Sequence, residues 1–178
     1  KNVDFGGGIE SIADAVNGNP DIFQIDIFKP IVAALEEKTG NKYGESEEKD
    51  RRLRIIADHL RAAVAITSEG VYPSNKQQGY VLRRLIRRAA LNLQRLTQSS
   101  ALKISEEVVK SLSDKDEIAN IVGEEVGKFE VALKKGQDMV RADPKMDPFD
   151  LYQSYGIPYE VSQELFDDAG RKLTEKDK

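Results

Sequence analysis

Residues 71–104 read VYPSNKQQGYVLRRLIRRAALNLQRLTQSSALKI and contain no aspartate or glutamate. They carry seven cations: Lys76, Arg83, Arg84, Arg87, Arg88, Arg95 and Lys103. A guanidinium is a planar fork of donors that grips carboxylate or phosphate oxygens two at a time. At about 100° per residue, Leu82, Leu85, Ile86, Ala89, Leu93 and Leu96 share one helix face, and the arginines with Tyr80 take the other. The chain sums to a formal −4, so everything outside this segment sums to −11. One basic stretch in an acidic protein suits a single phosphate backbone on one face, with affinity that falls as salt rises. It equally suits a solvated helix face paired with acids from elsewhere in the fold. Charge alone leaves both readings open.

Other chemistry is narrowed by composition. The chain has no cysteine, which excludes disulfides and thiolate metal sites. Its single histidine, His59, excludes histidine clusters and lies at the edge of an apolar stripe of Ile56, Leu60, Ala63, Val64 and Thr67. With no serine or acid placed beside it for catalysis, a packed, hydrogen-bonded histidine is the expectation. Gly6, Gly7 and Gly8 follow a weakly alternating 1–5 and precede a helical pattern at 9–16. A glycine turn between strand and helix could present amides to a phosphate, or simply be a tight connection. In 178 residues no apolar run approaches the roughly 20 that cross a bilayer, and no secretory signal is visible. The expectation is a cytoplasmic protein with no membrane partner. A start at Lys1, inside what reads as a strand, suggests a piece of something larger.

Stepping along the chain, the pattern predicts a mainly α fold. A turn at 17–20 precedes a helix capped by Asp26, with Pro30 in its first turn, ending at Thr39 and Gly40. The next helix runs from 46–50 to Gly70, with Arg54 and Asp58 spaced for an i,i+4 pair. Pro73 breaks the chain, and Ser74 or Asn75 can cap the arginine helix. A polar loop is expected at 97–105, a short helix at 106–112, then a long helix carrying Ile118, Val122, Val126, Phe129, Leu133 and Val140. Gly123, Gly127 and Gly136 weaken the case for its continuity. Asp147 and Pro148 start a short helix ending at Gly156. Ser162 starts the last, with Val161 stapled to Phe166, and 171–178 reads as a frayed tail.

Four separated motifs then bear on family. DFGGGIE (4–10), IDIFKPIV (25–32), the run ADHLRAA…GVYPSN…GYVLRRLIRRA (57–89) and LYQSYGIP (151–158) occur in the order found in alanyl-tRNA synthetases, which the chain resembles from residue 4 to about 170. The first resembles the third class II synthetase motif and the last the family's LYDTYGFP-type segment. The resemblance implies a tail of the catalytic domain at 1–22 and a helical tRNA-recognition bundle at 23–170. It implies a part of an alanine–tRNA ligase that uses ATP and magnesium and works with catalytic and editing domains on the same polypeptide. Gly6, Gly8 and Glu10 would be the remnant of the ATP motif. That motif ends in an arginine where this chain has Ser11, so this stretch by itself is expected to bind RNA without catalysing.

By the same resemblance, Asn75 matches an asparagine that contacts the acceptor stem of alanine tRNA near its G·U wobble pair. Lys76, Arg83, Arg84, Arg87 and Arg88 would hold phosphates. Gln153 stands where the family has an aspartate that approaches the wobble pair from the other side, and Gln78 stands where the family often has a base. An amide can still accept from a minor-groove amino group, more weakly than a carboxylate. Two rivals remain: a protein-interaction module whose arginine face docks an acidic partner, and an enzyme using either Gly6–Gly8 for ATP or His59 for hydrolysis.

Overall fold

Turn residues set where each helix begins and ends. The computed structural model describes residues 8–18, 21–97 and 99–174. These form eight α-helices and one 3-10 turn: α1 (Ile9–Asn17), the turn Ile22–Gln24, α2 (Lys29–Thr39), α3 (Glu47–Ser68), α4 (Gln77–Leu96), α5 (Ala101–Leu112), α6 (Asp116–Ala142), α7 (Pro148–Tyr155) and α8 (Tyr159–Asp168). The expected mainly α class is borne out. The strand at 1–5 and the turn at Gly6 and Gly7 lie outside the described residues.

Two long pairs, α3 with α4 and α5 with α6, make the centre. Leu53, Ile56, Leu60 and Ala63 of α3 and Leu82, Ile86, Ala89 and Leu93 of α4 are fully buried, as the 3.6-residue periodicity predicts. Val122, Val126, Phe129 and Leu133 bring α6 into the same core. α2 leans on α3 and α5, while α7 and α8 pack on the far half of α6. No helix among the described residues is long and apolar enough to cross a membrane.

Several boundaries differ from the sequence reading. Asp21, not Asp26, is the capping acid: its carboxylate accepts from the Phe23 N–H at 3.0 Å and starts the 3-10 turn. α2 begins only at Lys29, because Ile25 and Phe28 turn inward first. α5 reaches back to Ala101, capped by Ser100, since Ala101, Ile104 and Ser105 continue the buried stripe beneath polar neighbours. α8 starts at Tyr159, and Ser162 lies inside it, donating to the Pro158 carbonyl at 3.4 Å. Nor does the described tail fray: Arg171 donates to the Met146 carbonyl at 2.8 Å and Leu173 packs on the core.

α6 runs unbroken through its glycines for 27 residues. Gly136 shows why a glycine is used there. A Cβ on it would stand 2.6 Å from the Ile157 Cδ1 atom, so its absence lets the segment between α7 and α8 close onto α6.

Candidate functional site

The arginine face of α4 is divided among three surroundings. Arg87 is 2% exposed and lies inside the protein. Its Nε donates to Glu125 of α6 at 2.6 Å, and its Nη1 donates to the carbonyls of Tyr155 and Gly156 at 3.1 and 2.7 Å. The guanidinium also lies over the Phe129 ring. Burial presses its pKa down and Glu125 opposes that shift, while an arginine keeps its charge in either case. A cation at the end of α7, where orphan carbonyls and the helix dipole gather, is electrostatically favoured. The sequence reading put Arg87 on phosphates. In the structure it is a buried tie joining α4, α6 and α7, because periodicity alone does not reveal a third helix covering the polar face.

Arg88 and Arg95 look a different way. With Arg51 and Arg52 of α3 they line a hollow of about 760 Å³ whose opposite wall is the acidic side of α8. Arg95 pairs with Asp168 and with Glu164, the latter at 3.5 Å, and Arg52 reaches Glu164 at 3.7 Å. Arg88 therefore does not share the cleft of Asn75. Lys76 is exposed at the N-cap of α4 and is likewise outside that cleft.

The remaining positions converge. Asn75, Arg83, Arg84 and the buried Arg87 line one open cleft of about 620 Å³ together with Gln153, which arrives from α7. Facing them across the cleft are Lys128, Val131 and Lys135 of α6. These two lysines went unnoticed in the sequence because α6 reads as a packing helix of mixed charge. Their seven-residue spacing, two turns apart on one face, was the available signal.

Asn75 owes its place to a tight loop. Ser74 N–H donates to the Gly79 carbonyl at 3.1 Å, and the Ser74 hydroxyl donates to the Lys76 carbonyl at 3.1 Å. Neither Ser74 nor Asn75 caps α4; the N-cap is Lys76 and its side chain makes no cap. Asn75 is exposed, and its Oδ1 accepts from Arg83 Nη1. Arg83 in turn donates from Nε to Glu125 at 3.1 Å. Glu125 thus organises Arg83 and Arg87 together, and Arg83 engages the oxygen of the Asn75 amide. Arg84 pairs with Glu160 of α8.

Other singled-out residues take structural roles. Glu10 accepts from Arg61 of α3 at 3.2 Å, and Arg61 lies over the Phe28 ring. Gly8 is exposed ahead of α1 and Gly6 lies outside the described residues. The Glu10–Arg61 pair ties α1 to α3. Among the described residues no group of three or more His, Asp or Glu could hold a metal ion. His59 is buried as expected, with Nδ1 3.1 Å from Asp58, but its Nε2 has no hydrogen-bond partner among the described residues. Burial lowers its pKa; Arg88 and Arg84 add to the fall and Asp58 opposes it. Asp58 therefore does not pair with Arg54. Arg54 instead reaches Tyr43 and, at 3.2 Å, Asp21. Burial and the bond to Asp21 push the Tyr43 hydroxyl up to about 12.

Comparison with known proteins places the chain in a family. The profile of the family described as "tRNA synthetases class II (A)" matches residues 1–178. The chain belongs to that family. Among similar proteins is the alanine–tRNA ligase of Lactobacillus acidophilus, 38% identical over 99% of this chain and 23% of the relative. Those of Clostridioides difficile and Thermotoga petrophila are each 34% identical over 99% of this chain and 22% of the relative. The chain thus spans about a quarter of the length of these relatives. The resemblance to alanyl-tRNA synthetases drawn from the four motifs is borne out.

Proposed function

We propose that this chain is the part of an alanine–tRNA ligase that holds the acceptor stem of alanine tRNA, presenting its end for ATP- and magnesium-dependent alanylation by the rest of a cytoplasmic enzyme. The observation that carries this reading is the meeting, in one cleft, of Asn75 and Gln153 between cationic walls. The acceptor stem is A-form RNA, whose wide, shallow minor groove exposes base edges and 2′-hydroxyls. With its oxygen held by Arg83, Asn75 offers N–H donors to acceptors such as the uracil O2. Gln153 offers a carbonyl to the free amino group of guanine in a G·U pair. The two amides are complementary in role, one donating and one accepting.

Phosphate contacts fix register in this account and base-edge contacts supply identity. Arg83, Lys128 and Lys135 are the cations assigned to the backbone, and Lys76 is an exposed cation beyond the cleft, at the start of α4. Arg87 supports the site from behind. Residues 23–170 are the recognition domain in this reading, and 1–22 belong to its catalytic neighbour.

The test is the affinity of the chain for an acceptor-stem hairpin across a salt series. Lys128→Ala and Lys135→Ala are each expected to weaken binding to all hairpins alike and to reduce the slope of log K against log salt by about one. Binding that ignores salt and both lysines would contradict the reading. Capture of an acidic protein by the same face, with no RNA bound, would favour the interaction-module rival.

A further inference from the structure

Asn75 and Gln153 stand on different supports, a loop before α4 and the last turn of α7, and both are exposed. A base-edge contact needs its donors and acceptors held to within about half an ångström, so something must fix the span between them. Behind both lies Glu125 of α6, 6% exposed. One carboxylate oxygen, Oε1, accepts from Arg83 Nε at 3.1 Å and from Arg87 Nε at 2.6 Å. From there two arms run outward. Arg83 gives Nη1 to the Asn75 oxygen, the only side-chain hydrogen bond of Asn75 among the described residues. Arg87 gives Nη1 to the carbonyls of Tyr155 and Gly156 at 3.1 and 2.7 Å, just beyond Gln153 in the chain. Gly156 closes the bracket. It has φ +61°, and a Cβ on it would stand 2.9 Å from Arg83 Nη2 and 3.3 Å from Arg87 Nη1, so both guanidiniums come close against the end of α7.

We propose that Glu125 is a positioning residue for base-pair discrimination: from inside the protein it sets the span between Asn75 and Gln153 without touching the RNA. The inference rests on the RNA reading of the cleft. Two effects follow from one charge. Arg83 and Arg87, one helical turn apart, would repel each other, and a shared carboxylate removes that repulsion and keeps each fork in one orientation. An amide that is already oriented loses less side-chain freedom when it binds. The same negative charge lies behind the cationic walls and lowers the pull of the cleft on any phosphate backbone. Glu125 thus exchanges sequence-independent affinity for discrimination. A carboxylate that only held the fold together would, when lost, weaken binding to every RNA alike.

Glu125→Gln and Glu125→Asp separate charge from reach, with acceptor-stem hairpins bearing G·U and G·C titrated across a salt series. Glutamine keeps the length and removes the charge. Its affinity for the G·C hairpin is expected to rise, with a slope of log K against log salt steeper by about one. Its preference for G·U, roughly tenfold in the parent chain, is expected to fall below about threefold. Aspartate keeps the charge but stops one methylene short of both guanidiniums, so the slope should stay at the parent value while the preference falls alike. A loss of affinity for both hairpins at an unchanged ratio would make Glu125 a structural tie and overturn the proposal. A second measurement needs no variant. In the parent chain the Nε–H groups of Arg83 and Arg87, followed by NMR, should exchange with water far more slowly than that of the exposed Arg51. Exchange of the Arg83 Nε–H at the Arg51 rate would also overturn it. A parent chain that binds both hairpins equally would sink the RNA reading itself, and slow exchange there would leave Glu125 a structural tie only.

Discussion

Arg87 and Arg83 are one helical turn apart on α4 and do different work because Glu125 stands between them. Arg87 spends its donors on Glu125 and two carbonyls of α7, whereas Arg83 keeps one edge toward the cleft, where it holds Asn75. Removing the buried member leaves Glu125, itself 6% exposed, with half its partners. Losing one side of a buried charge pair costs about 3–5 kcal/mol, and Arg83 remains to soften it. Arg87→Ala should therefore lose about 3 kcal/mol in urea denaturation, whereas Lys135→Ala on the exposed wall should lose less than about 0.5. Equal, small losses would show that Arg87 is no structural tie. His59 gives a pH signature. Its folded pKa lies below the ordinary 6.5, so the neutral form is favoured on folding. The stability this contributes is fully present above 6.5 and is lost as the pH falls through the lower folded value. Stability measured from pH 7 to 5 should fall in the parent chain and fall less in His59→Gln; parallel curves would assign the acid loss elsewhere.

At the level of elements, the loop before α4 decides whether Asn75 reaches the cleft. Gly79 allows it: a Cβ there would stand 2.5 Å from the Tyr72 carbonyl oxygen and against the Ser74 hydroxyl. On an open helix surface, alanine in place of glycine is worth about 1 kcal/mol of added stability. Here the sign should reverse. Gly79→Ala should cost about 1–3 kcal/mol through overpacking and weaken hairpin binding by moving the loop. A rise in Tm with unchanged binding would mean that the loop does not depend on that close approach. The helix count and most apolar faces were legible because burial writes a 3.6-residue period into α3, α4 and α6. Starts such as Ala101 and Tyr159 were not, since polar residues preceding a stripe look the same whether they cap, precede or enter a helix.

For the whole molecule, tertiary placement decides which charges matter. A single basic stretch in an acidic chain was plain from the sequence, but not that acids of α6 and α8 would occupy Arg84, Arg87 and Arg95. Equally hidden was the opposite wall of Lys128 and Lys135, since no local pattern says which face of a long helix borders a cleft. The meeting of Asn75 with Gln153, far apart in the chain, was implied by family resemblance and by nothing in either segment alone. The most direct measurement is the affinity of this chain for an acceptor-stem hairpin bearing G·U against the same hairpin bearing G·C, with the parent chain and with Asn75→Ala. The account predicts tighter binding to G·U by roughly tenfold, on the 1–3 kcal/mol scale of a well-formed base-edge contact, and loss of that margin in Asn75→Ala. Equal affinity for the two hairpins in the parent chain would contradict it.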